Sequence, residues 1–102
     1  MIKMTVFYRQ PDDAPAFEKK YIEEHIPMVK GYANIQKVSA YKVTRTLQGD
    51  FPYAYVFSGT WADKDGWKAD MNSDAAKEAT KHAMSFAPPF DVVVLEELEG
   101  AQ

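Results

Sequence analysis

The sequence predicts an α+β fold: a ferredoxin-like β-α-β-β-α-β sandwich built on one four-stranded antiparallel sheet. Three observations predict it. Strand-like alternation opens the chain, an apolar stripe of helical period follows, and a β-branched hairpin separates two helical regions before a last strand. Right-handed crossovers in both β-α-β halves leave every helix on one face of the sheet. The 102 residues fit a single domain, residues 1 to 102.

Each element has a local cause. In "MIKMTVFYR", Ile2, Met4, Val6 and Tyr8 alternate with Lys3, Thr5, Phe7 and Arg9, the period of a strand. "QPDDAP" stops it. Asp12 or Asp13 can cap the helix that follows, and Pro15 suits a first turn, where a missing N–H costs nothing. Phe17, Tyr21, His25 and Val29 then recur four apart, with Ile22 and Ile26 beside them. Pro27 removes an N–H and disfavours helical geometry at Ile26. A helix to about His25, a kink or break, and a last turn ending at Gly31 are therefore expected.

Residues 35 to 47, "IQKVSAYKVTRTL", read as a long strand, "QGDFP" as a turn, and "YAYVFSGTWA" as the returning strand. Alternation puts Tyr53, Tyr55, Phe57 and Trp61 on one face, with Ala54 and Val56 on the other. Asp63 can cap a second helical region in two pieces, the second capped by Ser73 or Asp74, with Trp67 on the outer surface. "APP" ends it, and "DVVVLEEL" is the final strand. The strands carry apolar side chains on both faces, while helices cover only one. The second face is expected to meet another copy of the chain, a ligand, or both.

Composition narrows the function classes. A net charge of -3 and a pI near 5.3, with no basic stripe, argue against nucleic-acid binding. With no cysteine there is no disulfide or thiolate chemistry. No apolar run approaches the roughly 20 residues a membrane span needs, and "MIKMTVFYRQ" does not resemble a signal peptide. A cytoplasmic protein is expected. GxSxG, P-loop and GxGxxG motifs are absent, as is any HExxH-type metal spacing.

His25 is the candidate for chemistry, because imidazole takes up and returns a proton near neutral pH. It shares the aromatic stripe with Phe17 and Tyr21 and should face the sheet. The alternative is a structural histidine that bonds a carbonyl freed by Pro27. His82 falls on the same helix face as Phe86; it either joins His25 at a pocket or faces solvent. Tyr21, Tyr41, Tyr55 and Trp61, with His82, are the candidate substrate contacts. Ordinary core and interface packing is the competing account of those rings.

The order of these pieces resembles the EthD-like family of small dimeric α+β barrel proteins. The resemblance rests on "KMTVFYRQP", on "FEKKYIEEHIPMVKG" with its H-x-P-(M/L)-V, on the hairpin and helix "PYAYVFSGTWADKDGWKADMNSDAAKEA", and on "FAPPFDVVVLEEL". It covers nearly the whole chain. It implies subunits that pair sheet to sheet into a dimeric α+β barrel, and it maps the family's histidine onto His25. Many members are expected to carry an acidic residue where this chain has His82.

Three functions follow. In the first, a cofactor-free enzyme uses His25 as general base on a small apolar or aromatic carbonyl compound, in isomerase, cyclase or monooxygenase-like chemistry, with a nearby tyrosine steadying the oxyanion. In the second, a non-catalytic binding or accessory protein of a degradation operon uses the same pocket. The third is haem ligation by His25 or His82.

Overall fold

In the computed structural model, which describes residues 1 to 101, strand β1 (Ile2–Arg9) leads into helix α1 (Ala14–Lys20). A π-helical turn (Tyr21–His25) and helix α2 (Ile26–Lys30) continue it. Strands β2 (Ile35–Lys42) and β3 (Tyr53–Trp61), helices α3 (Lys64–Met71) and α4 (Asp74–Phe86), and strand β4 (Phe90–Glu96) follow. The strands pair antiparallel in the order β2-β3-β1-β4. That is the ferredoxin-like arrangement expected from the sequence.

The caps are those the side chains suggested. Asp13 accepts from the Ala16 N–H at 3.0 Å, Asp63 from the Gly66 N–H at 2.8 Å, and Ser73 from the Ala76 N–H at 3.1 Å. Of the kink or break expected before Pro27, the break does not occur; the helix widens there instead. The Ile26 N–H reaches back five residues to the Tyr21 carbonyl, so one wide turn carries the chain into α2. A proline ring crowds the carbonyl four residues before it, and one extra residue in the turn eases that conflict without ending the helix.

Two expectations about the hairpin are corrected. The strand predicted for residues 35 to 47 ends at Lys42, with one further bond from the Val43 N–H to the Ala54 carbonyl. β3 begins only at Tyr53, so the residues beyond Val43 find no partner strand. Tyr53 also lies opposite to its predicted face. Tyr8 pairs with Tyr55 but Arg9 with Tyr53, leaving Ala54 as the extra residue of a bulge. Tyr53 therefore turns away from the helices to meet Phe7, Phe51 and the Arg9 guanidinium.

The core lies between the helices and one sheet face. Val6, Tyr8, Tyr55, Phe57 and Trp61 pack there against Phe17, Tyr21, Ile26 and Val29. Ala76 and Ala79 on α4 belong to the same cluster, and their small side chains let that helix approach closely. Trp61 is wholly buried, and its ring crosses Gly59 so closely that a Cβ there would stand 3.0 Å from it. The indole N–H donates to Asp70 at 2.7 Å, and the same carboxylate takes the backbone and side-chain N–H groups of Asn34. Asp70 thereby ties α3 to the end of β3 and the start of β2. Buried charge is costly unless satisfied in this way. Trp67, expected on the outer surface, is half-buried.

Coverage of the sheet is uneven. On the helix side of the edge strand β4, Val92 and Val94 each remain 47% exposed. On the opposite face Tyr41 is 58% exposed, and Val93 and Leu95 stay open beside the Phe7, Phe51 and Tyr53 cluster. Among the described residues no helix is long and apolar enough to cross a membrane.

Candidate functional site

The apolar stripe of the first helix becomes a column of rings. Phe17 stacks on Tyr21 at 5.3 Å between centroids, and Tyr21 on His25 at 5.5 Å. Four-residue spacing alone drifts around an α-helix, whereas a π turn holds more than four residues and keeps Tyr21 and His25 in line. Opposite this column stands α4. Its His82 ring lies 5.3 Å from His25 and nearly parallel, and Phe86 packs against both histidines.

His82 is thus not a solvent-facing helix residue. Its Nδ1 lies 3.1 Å from His25 Nδ1, close enough for one of these nitrogens to donate a hydrogen bond to the other. The other nitrogen, Nε2, lies 3.3 Å from a Glu24 carboxylate oxygen. His25 itself is 6% exposed. Burial, and then the neighbouring His82, lower its pKa from 6.5 to about 4, so it is uncharged at neutral pH. Its Nε2 makes no hydrogen bond among the described residues.

His25 forms part of the wall of a cavity of about 250 Å³. The sheet contributes Met4, Val6, Tyr8, Phe57, Phe90 and Val92, while Val29, Ala79 and Ala83 face them from the helices. Residues with polar side-chain atoms are few in its wall: His25, Thr80, Tyr8 and Tyr32. Such a mostly apolar hollow with a few convergent polar groups suits a small ligand, below the size of a typical drug. Burial raises the Tyr8 pKa to about 12, despite the opposing influence of the Tyr21 hydroxyl nearby. Tyr32 is raised by burial and then by the Asp70 charge. Both phenols therefore stay protonated and can donate. The Tyr21 hydroxyl is sealed from solvent and lies outside normal hydrogen-bond geometry to any described partner.

The predicted contacts separate. Tyr21 supports His25 from the ring column and borders a second, smaller hollow of about 160 Å³, together with Tyr41 and Tyr55. Tyr55 donates to Glu18 at 2.5 Å, an oxygen also held by Lys42, so its hydroxyl is already committed. Tyr41 points from the face that the helices leave bare, which follows from its pairing with Val56 in β3. Trp61 is sealed in the core on Asp70 and is not part of the wall of the cavity at His25. Tyr8 and Tyr32, not singled out from the sequence, line the cavity with His25. Alternation in the first strand puts Tyr8 beside Val6 on the core face, a signal for its position but not its role. Tyr32 follows Gly31 outside any periodic pattern.

A larger hollow of about 400 Å³ lies between the loops at residues 10–13 and 87–89. Its charged groups, Asp12, Asp13 and Lys20, are exposed to solvent. No group of three or more metal-ligating residues gathers among the described residues.

Comparison with known proteins agrees with the architecture. A crystal structure of an ethyl tert-butyl ether d (EthD) family protein from Bacillus halodurans superposes with a TM-score of 0.88 at 23% identity, covering 96% of this chain and 99% of that one. The fold is that of the EthD-like proteins. A dimeric ferredoxin-like protein of unknown function from Thermobifida fusca superposes with a TM-score of 0.72 at 12% identity, over 94% of this chain and 90% of that one. In sequence, an uncharacterized 11.0 kDa protein from the thcB-thcC intergenic region of Rhodococcus erythropolis is 31% identical over 58 residues. That match spans 57% of this chain and 55% of the relative. No protein-family model matches the chain.

The lowered His25 pKa makes stability depend on pH with a definite sign. Between about 4 and 6.5 the unfolded chain binds a proton at His25 that the folded chain does not. Acidification through that window should therefore cost stability, up to roughly 3 kcal/mol from this group. Urea unfolding at pH 7 and pH 4.5 should show the loss, and His25→Gln should make it smaller. Equal losses in the two proteins would contradict the buried, neutral histidine.

Proposed function

We propose that this chain is an EthD-like protein whose cavity binds a small apolar, cyclic or aromatic carbonyl compound, with His25 as its general base. One observation carries the reading: a buried, neutral histidine whose Nε2 has no partner among the described residues, in the wall of a mostly apolar cavity that Tyr8 and Tyr32 also line. A carbon acid is activated by removing a proton next to its carbonyl while donors steady the oxygen that becomes negative. Tyr8 and Tyr32 are the candidate donors, and the committed hydroxyl of Tyr55 is not needed.

A base with a pKa near 4 is weak by itself, since the best catalytic value lies near the working pH. The reaction corrects this in part. An enolate formed in the cavity is an opposite charge beside the new imidazolium, which raises its pKa as the proton arrives. Burial thus keeps the base free of solvent protons before the substrate binds. This chemistry serves an isomerase, a cyclase or a monooxygenase-like enzyme equally, because all begin from the same carbanion. Binding without exchange would instead identify an accessory protein that uses the same cavity.

The functional unit proposed is a homodimer joined through the bare sheet faces. Tyr41, Val93 and Leu95 remain exposed there around the Phe7, Phe51 and Tyr53 cluster, and sheet-to-sheet pairing would bury them. A specific interface of this kind covers at least roughly 1,200 Å².

Light scattering at micromolar concentration should give twice the 11.6 kDa chain mass, and a stable monomer would exclude the dimer. For the base, cyclic and aryl ketones are incubated with protein in D2O, and loss of the α-proton NMR signal is followed. His25→Asn should slow exchange by about 100-fold or more while the protein stays folded. Exchange at the wild-type rate in His25→Asn would remove the general-base role.

A further inference from the structure

His82 lies within hydrogen-bond reach of two side chains of the first helix, one through each ring nitrogen, and the reason lies in the backbone. Glu24 and His25 are consecutive residues of the π turn, and the single imidazole of α4 lies across both. Its Nδ1 meets His25 and its Nε2 meets the Glu24 carboxylate.

With both rings uncharged, these contacts set where the protons are. A bare Nε2 facing a carboxylate oxygen at 3.3 Å would set a lone pair against an anion, so His82 carries its proton on Nε2. A neutral imidazole has only one N–H, which leaves His82 Nδ1 as a lone pair. The 3.1 Å contact between the two Nδ1 atoms then needs a proton from the other side, so His25 is protonated on Nδ1. Its lone pair is left on Nε2, the nitrogen that lacks a partner among the described residues.

We infer that His82 is a positioning residue: backed by Glu24, it holds His25 in the Nδ1–H tautomer and so presents Nε2 as the base. This inference rests on the general-base reading of His25 and deepens it. An isolated imidazole favours a proton on Nε2, which would make His25 a donor toward the cavity and unable to accept. The contact with His82 reverses that preference. When Nε2 takes a proton from substrate, the resulting imidazolium keeps its Nδ1–H on His82, and the Glu24 carboxylate opposes the new charge through the second ring. Orientation of a histidine by a group on its far nitrogen is a general device of acid–base sites.

The test needs no substrate. Protein labelled with 15N-histidine is examined near pH 7.5 by long-range proton–nitrogen correlation, which reports which ring nitrogen carries hydrogen. With two histidines in the chain, His82→Phe also assigns the spectrum. The expected result is His25 protonated on Nδ1 and His82 on Nε2. His82→Phe keeps a ring between His25 and Phe86 but removes the acceptor, so His25 should move toward the Nε2–H form. His82→Asn, whose side-chain oxygen takes the place of Nδ1, should restore Nδ1–H. Glu24→Ala should loosen the preference. His25 protonated on Nε2 in the wild type, or an Nδ1–H form unchanged in His82→Phe, overturns the inference. Because tautomers are read without turnover, their assignment stands or falls separately from the exchange assay that tests His25 as a base.

Discussion

The N–H that Pro27 lacks sets the geometry of the site. A helix that meets proline must end, kink or widen, and this one widens. The wide turn keeps Tyr21 and His25 stacked and puts Glu24 and His25 within reach of one histidine on the neighbouring helix. It also carries the chain on into α2, whose Val29 lines the same cavity. A break at this point would have removed the far wall. The cavity, the tautomer and the backing of His25 all descend from that single turn.

The rest of the fold holds this turn against a firm support. Asp70 joins α3 to both strands of the hairpin, and the alanines of α4 let that helix sit close to the sheet. α4 ends before it covers the edge strand, which leaves Val92 and Val94 half-open beside the cavity. A rigid wall on one side and an open strand edge on the other suit a site that must hold a base still and admit a ligand.

Much of this was legible in the sequence. Strand alternation, the cap residues and the four-residue stripe gave the element order, because each rests on neighbours a few residues apart. His25 stood out by its place on the stripe. What escaped depends on contacts between distant residues. Whether His82 met His25 or solvent stayed open, because nothing local marks a helix face that meets another helix. Tyr41 and Trp61 were aromatic in the right strands, but the pairing register sends one outward and Asp70 claims the other. The bulge at Ala54 turned Tyr53 over, since a one-residue shift reverses every side chain beyond it. Tyr8 and Tyr32 come together only once the sheet and the loop after α2 are assembled.

The central claim is that the cavity beside His25, and not the open sheet face or the hollow at the loops, is where a ligand acts. NMR shift mapping with a panel of small cyclic and aryl ketones tests it most directly. The account predicts saturable shifts centred on His25, Val29, Tyr32, Ala83 and Val92, which line one space from four separate elements and a loop. Shifts confined to Tyr41, Val93 and Leu95, or to the loops at residues 10–13 and 87–89, would contradict it.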